Sequence, residues 1–407
     1  MEISLCKLMK RFKNTTEAID ETQSILRLNY DCLFEIFSYL DIRELMKMEM
    51  VCQWFKEVAE MVYKTKRLLW LMTSVEKFSE EETQDISMRI GPYVRTLMAN
   101  CNNFENVYEG LKSFLSNFRN LRQLRLRRLD CFMKKSSELE LAECLRKPTQ
   151  LKTLNLRGNS ELRGQFLPEL QNIQEIDLTC CGYIQASYFE LFLSRNQGLT
   201  SLNIENCKFI TSACLAAIAK LQNLRSLVIN NSYRNDNASS ISLLGDLPCL
   251  KDLAISKWVE PLEFVCASTR KLHSCLTSSF SKLKKLEFRQ WKKGLNANIL
   301  LQLACKNTIE ELHFAYCKLT NDLLIAIIGN YQKLRLLHIR GRYKITDDLI
   351  RGILPLLSER VEPLKIAAEK FQLSPEIDSF ISNEKLKIIQ LTQDSNNSDV
   401  ICWFFRW

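Results

Sequence analysis

One nine-residue pattern recurs through most of this chain, with aliphatic residues at the first, fourth and sixth positions and Asn or Cys at the ninth. The clearest copies are residues 151–159 (LKTLNLRGN), 173–181 (IQEIDLTCC), 199–207 (LTSLNIENC) and 309–317 (IEELHFAYC). Looser copies start at Val94, Leu121, Leu224, Leu250, Leu283, Leu334, Val361 and Leu386. About twelve units result, spaced on average by roughly 26 residues, within the range of about 20–29 for short strand-and-helix repeats. A chain of this kind buries apolar surface by stacking its units, so its fold is an elongated array.

Each unit predicts a short strand. Its fourth and sixth side chains point into the array, and its third, fifth and seventh point to the other face. Stacked strands form a curved parallel sheet. The ninth residue enters the turn, where Asn or a small, weakly donating Cys is buried against neighbouring backbone. Segments 212–221, 322–331 and 347–357 carry Leu, Ile and Ala at helical spacing, and Thr211, Thr320 and Thr346 stand where N-caps belong. These helices form the convex side. Trp258 and Trp291 occupy ninth positions and are expected to fill widened coils.

Residues 28–59 read differently. Leu33, Ile36, Phe37 and Leu40 make one helical stripe, opened by Asn29 as a cap. Asp41 and Glu44 form a capping box before a second helix carrying Leu45 and Met48, and a third runs through Phe55, Val58, Ala59 and Val62. Three short helices cannot enclose a substantial core, so part of their apolar surface is expected to meet a partner. Ser79 with Glu82 forms a further capping box, and Gly91-Pro92 is a stop, predicting a helix over 79–90.

Two resemblances follow from these residues. Leu28, Asp31, Leu33, Ile36, Phe37, Tyr39, Leu40, Asp41, Leu45, Val51, Cys52 and Phe55 match the outline of the F-box, departing from it with Asn29 for the customary proline and Asp31 for the customary glutamate. The downstream units resemble the cysteine-containing subclass of leucine-rich repeat. The chain therefore resembles the F-box and leucine-rich-repeat family, with an α/β fold: a three-helix F-box, then a solenoid with a parallel-strand concave face and a helical convex face. The expected domains are a flexible arm over 1–24, the F-box over 25–72, a helical connector over 73–92, the solenoid over 93–394, and an apolar cap or latch over 395–407.

The resemblance implies the substrate-recognition subunit of an SCF-type ubiquitin ligase, non-catalytic itself. A Skp-type adaptor, linked to a cullin, would dock on Leu28, Leu33, Ile36, Phe37, Leu40, Leu45, Val51, Cys52 and Phe55. A client would dock on the repeats and be degraded. A ligase-independent scaffold that binds acidic partners is the alternative. Cytoplasm or nucleus is the expected location.

Outward positions supply the candidate client site: Arg125, Arg127, Arg157, Arg289, His313, His338 and Arg340, suited to an acidic or phosphorylated segment. His313 and His338 share the fifth position of consecutive units, and the sequence reading finds no carboxylate or Cys beside them, so no metal is expected. No nucleotide-binding or nucleophile motif occurs, so no cofactor or catalytic residue is assigned. The 16 cysteines lack CxxC pairs and fit reduced packing residues. No apolar run is long enough to span a bilayer. The net charge of +9 is spread along the array without a Lys/Arg run, so nucleic acid is not an expected partner.

Overall fold

The structure is a computed structural model, and it describes residues 25, 28–71, 78–101, 107–129, 137–231, 241–257, 276–291, 300–378 and 385–391. The N-terminal arm, Trp258 and the apolar C-terminal segment lie outside the described residues.

The chain opens with α1 (Tyr30–Ser38), α2 (Ile42–Glu49) and α3 (Gln53–Thr65). Asn29 caps α1, accepting from the Cys32 N–H at 2.9 Å, and the Asp41/Glu44 capping box opens α2. Phe37 meets Phe55 edge-on with centroids 5.1 Å apart, inside a core that also takes Leu33, Leu45, Val58 and Val62.

From α3 the chain passes through Lys66 and Arg67 straight into β1 (Leu68–Leu71), a strand the repeat pattern did not predict. It pairs in parallel with β2 (Thr96–Asn100), Leu69 opposite Leu97, and so acts as an additional first unit. Between them lies α4 (Glu80–Ile90), opened by the expected Ser79/Glu82 capping box. Arg43 bonds Glu82 at 3.2 Å and Arg89 bonds Glu49 at 2.9 Å, tying α2 to α4. The docking helices are thus built onto the array by a shared core, two ion pairs and a strand.

Downstream come α5 (Val107–Ser116), β3 (Gln123–Arg127), α6 (Glu138–Leu145), β4 (Thr153–Asn155), β5 (Glu175–Asp177), α7 (Ala186–Arg195) and β6 (Ser201–Asn203). They are followed by α8 (Ser212–Ile218), β7 (Ser226–Asn231), β8 (Asp252–Lys257), β9 (Lys285–Arg289), β10 (Glu311–Ala315), α9 (Asn321–Asn330) and β11 (Leu336–Arg340). The last elements are β12 (Ile345–Thr346), α10 (Asp347–Ser358), β13 (Leu364–Ala368), β14 (Phe371–Gln372), α11 (Pro375–Asp378) and β15 (Leu386–Gln390). Among the described residues, 13 strands join in one parallel sheet in chain order, with β12 and β14 paired apart.

Fourth-position residues line up as anticipated: Leu124 opposite Leu154, Ile176 opposite Leu202, Leu312 opposite Leu337. The last two units are in a different register from the one read from sequence. Leu337 pairs with Ile366 and Ile366 with Ile388, so these units start at residues 363 and 385, not at Val361 and Leu386. Val361 is 91% exposed, because the apolar alternation there begins only after Pro363. Thr211 and Thr320 cap α8 and α9 through their hydroxyls, whereas Thr346 makes no side-chain cap bond and is instead drawn into β12.

The ninth position has one repeated function. Asn159 donates to the Leu126 carbonyl, and Cys181, Cys207 and Cys317 point their thiols at the carbonyls of Leu156, Leu178 and Phe288. Each acceptor is the sixth residue of the preceding unit. Trp291 obeys the same rule, its indole N–H reaching the Ile255 carbonyl at 3.1 Å from a fully buried site. Just before it, the eighth position is left-handed at Arg128, Cys180, Asn206, Gln290 and Tyr316. Gly158 and Gly341 take the same conformation without a Cβ penalty.

Candidate functional site

Two surfaces were expected to carry function. Of the nine residues assigned to adaptor docking, Leu33, Phe37, Leu45 and Phe55 are buried in the module's own core, and Leu28, Leu40 and Cys52 are half-buried. Only Ile36 and Val51 are exposed, at 41% and 50%. The structure exposes other large apolar side chains on these helices and their turns: Tyr39, Met50, Trp54 and Met61. The apolar stripe marks what fills the module, and Tyr39 and Trp54 flank it, so helical phase was the signal that could have found them.

On the strand face opposite the helices, the fifth positions form a column: Arg125, Asn155, Asp177, Asn203, Val228, Ala254, Glu287, His313 and His338. His313 and His338 stand side by side with ring centroids 4.9 Å apart. A carboxylate does lie beside them, contrary to the sequence reading: Glu287 is the register partner of His313, and Glu311 lies 3.2 Å from the His313 Nε2. Both acids were at predicted outward positions, and the error was one of neighbours. Burial, then the proximity of His313 and Arg340, pushes His338 down to about 3, so its ring is neutral over most of the pH range.

Two arginines of the expected patch, Arg289 and Arg340, are ion-paired within the array. Arg289 forms a fork with Glu287, Nε to Oε1 at 2.6 Å and Nη2 to Oε2 at 3.1 Å, and its Nη1 reaches Glu205 at 2.5 Å. The Ser256 hydroxyl donates to the other Glu205 oxygen. Burial works to raise Glu287, and the Arg289 guanidinium outweighs it, leaving the carboxyl below its ordinary value. Arg340 lies 3.8 Å from Glu369. At the other end, Asp177 accepts from the Thr179 N–H and hydroxyl and from Asn155. Burial raises its pKa against these bonds and against Arg157 and Arg125. Arg125 is buried, while Arg127, Arg157 and Arg340 keep partial exposure. Around Arg289 and Asp177 the concave face is therefore an internally paired polar floor, where the sequence suggested an open cationic patch.

The buried thiols are held protonated. Burial lifts Cys144, Cys305 and Cys317 to about 12, and Cys181 and Cys207 well above the ordinary value. Such thiols are poor nucleophiles and suit their structural hydrogen bonds. Among the described residues no three His, Cys, Asp or Glu side chains converge to hold a metal ion. Among the same residues no helix is long and apolar enough to cross a membrane.

The comparisons with known proteins agree with this geometry. Residues 25–67 match the F-box domain, a match that ends immediately before β1. No curated protein matches the chain in sequence. Among solved structures, a chain of the Rad7 and Elc1 complex in yeast is similar at 14% identity, over 96% of this chain and 98% of that one, with a TM-score of 0.54. An internalin from Listeria monocytogenes is similar at 15% identity, over 91% of this chain and 99% of its own, with a TM-score of 0.41. The class of the molecule is a parallel-strand repeat solenoid fused to a helical docking domain. Residues 25–67 are an F-box domain, and the array behind them has the fold of a leucine-rich-repeat solenoid.

Proposed function

We propose that this chain is the substrate-recognition subunit of an SCF-type ubiquitin ligase. In this reading a Skp-type adaptor, itself linked to a cullin, sits on the F-box, and the repeats present a client for ubiquitination and degradation in the cytoplasm or nucleus. The observation that carries it is the continuous path from α3 into β1, because it holds the F-box and the concave face in one fixed relation. A receptor that adds proximity and no chemistry of its own depends on such a relation. The yeast structure of similar fold was itself solved as a complex with a second protein, in keeping with a docking role.

Within this reading the adaptor contacts Ile36 and Val51 directly, with Tyr39, Met50 and Trp54 extending the surface. The core residues Leu33, Phe37, Leu45 and Phe55 hold that surface in shape. The client rests on the concave face beside Arg127, Arg157 and Arg340.

Co-purification with a Skp-type adaptor tests the reading. Wild type should form a stable complex, and Ile36→Asp should lose it while keeping its unfolding temperature. Absence of binding by wild type, or full binding by Ile36→Asp, overturns it.

A further inference from the structure

The second position of each unit lies where the chain enters its strand, and there the backbone forms an unbroken ladder. The N–H of Arg122 donates to the carbonyl of Arg95, Lys152 to Arg122, Gln174 to Lys152, Thr200 to Gln174, Arg225 to Thr200, Lys251 to Arg225 and Lys284 to Lys251, at 2.7–2.9 Å. Arg67 begins the series by accepting from Arg95. From β1 to β9 this column holds seven cations and two neutral polar residues with no aromatic or aliphatic side chain among them, and the same ladder then continues through the acid Glu310 to Arg335. The cations are far apart in sequence. Only the parallel register collects them into one line along the strand-entry rim.

Most of these cations are uncommitted. Arg95, Arg122, Arg225 and Lys251 are exposed and Lys152 is half-buried, and none of the five makes a side-chain hydrogen bond or salt bridge among the described residues. Arg67 bonds the Lys64 and Tyr93 carbonyls, and Lys284 bonds Glu310, the next residue of the ladder, at 2.8 Å, so the cations at the two ends of this stretch are engaged. Arg119, Lys220 and Lys282 are further exposed cations on the turns that precede β3, β7 and β9. The carboxylates of Glu175 and Asp252 stand one residue further along, at third positions. At about 4.8 Å per strand the column runs for roughly 38 Å.

We propose that this rim binds the phosphate backbone of a nucleic-acid duplex without reading its sequence. Two groups of uncommitted cations, Arg95 to Lys152 and Arg225 with Lys251, set in one line with only the neutral Gln174 and Thr200 between them, fit a partner whose own charge repeats along an axis, and duplex DNA carries one negative charge per roughly 1.7 Å of axis. A folded acidic protein would need apolar anchors between the charges, and the column has none. Single strands are held on aromatic platforms, which the column also lacks. The five uncommitted cations, from Arg95 to Lys251, all lie outside the F-box match, which ends at Arg67, and outside the paired floor around Arg289, so the site does not depend on adaptor docking.

Fluorescence anisotropy of the full-length chain with a mixed-sequence DNA duplex of roughly 12 base pairs or longer, across a salt series, tests this proposal. Wild type should bind with a log–log salt slope of about −4 or steeper, since each released counterion contributes about 0.9. Replacing Arg95, Arg122, Lys152, Arg225 and Lys251 together by Gln should weaken binding at least about tenfold at low salt and flatten the slope by about 4. The same loss of charge elsewhere, with Lys208, Lys318, Arg342, Lys344 and Arg351 changed to Gln, should leave binding close to wild type. If the fivefold rim variant does not fold, Arg122→Gln/Lys251→Gln should flatten the slope by about 2. Failure of wild type to bind, equal weakening by both variant sets, or equal displacement by polyglutamate at matched charge overturns the proposal.

Discussion

Arg289 and Glu205 meet at 2.5 Å although 84 residues separate them in sequence, and both side chains are almost entirely buried. With Glu287 in the same network, one guanidinium serves two carboxylates across the strand face. Arg289→Ala would leave two buried carboxylates without their cation and is expected to cost about 3–5 kcal/mol, read from urea unfolding. The triple change Arg289→Met/Glu205→Gln/Glu287→Gln should recover much of that loss. A triple variant no more stable than Arg289→Ala would show that charge pairing is not what the network contributes.

The same site gives a pH dependence with a definite sign. Because the folded Glu287 carboxyl lies below its ordinary value of 4.5, its stabilising contribution is present above that pH and is lost as the pH falls toward the depressed value. His338 adds in the same direction. A buried neutral imidazole at about 3, against an ordinary 6.5, stabilises fully above 6.5 and progressively less below it, by at most about 1.4 kcal/mol per pH unit. His338→Phe should therefore flatten the stability profile between pH 6.5 and 3. An unchanged slope in urea midpoints would rule out His338 as its source.

Trp291 fills a buried coil and satisfies the Ile255 carbonyl. Trp291→Ala should cost about 3–5 kcal/mol through its cavity. Trp291→Phe keeps most of the volume and loses the donor, so it should cost about 1–3 kcal/mol. Equal losses in the two variants would assign the whole effect to the lost hydrogen bond, and a Trp291→Phe variant as stable as wild type would assign it to volume.

Arg360 is buried with no acidic partner among the described residues, its guanidinium bonding the carbonyls of Ile328, Tyr331, Gln332 and Leu334 at the end of α9. Arg360→Met should expose these carbonyls to local opening. Hydrogen exchange should rise at residues 328–334 before it rises elsewhere, and a uniform rise across the array would contradict a local staple.

Exposure divides the docking module into two kinds of variant. Trp54→Ala should weaken adaptor binding by about 2 kcal/mol or more with little change in stability. Leu33→Ala should do the reverse, costing about 2–5 kcal/mol of folding. Paired calorimetric titration and thermal unfolding separate the two, and a Trp54→Ala variant with full affinity would move the adaptor off that face.

Much of this was legible in the residues alone. Capping at Asp41, Ser79, Thr211 and Thr320, the repeat period, and the burial of ninth-position cysteines all follow from short-range chemistry that a sequence displays directly. β1 was missed because LLWL lacks the repeat spacing and becomes a strand only by pairing with β2. Of the nine F-box residues expected to dock, four are buried and three half-buried, since an apolar stripe first fills its own module and helical phase alone tells which side chains are left outside.

The sequence by itself determined that the chain is an array of strand-bearing units behind a helical docking module, because a recurring apolar spacing has one way to bury itself. Only the tertiary structure decided which charges are neighbours. In a parallel sheet, lateral neighbours belong to different units and are set by register. That is why Glu287 beside His313, Glu205 on Arg289, and the line of cations along the strand-entry rim emerge only when the units are stacked.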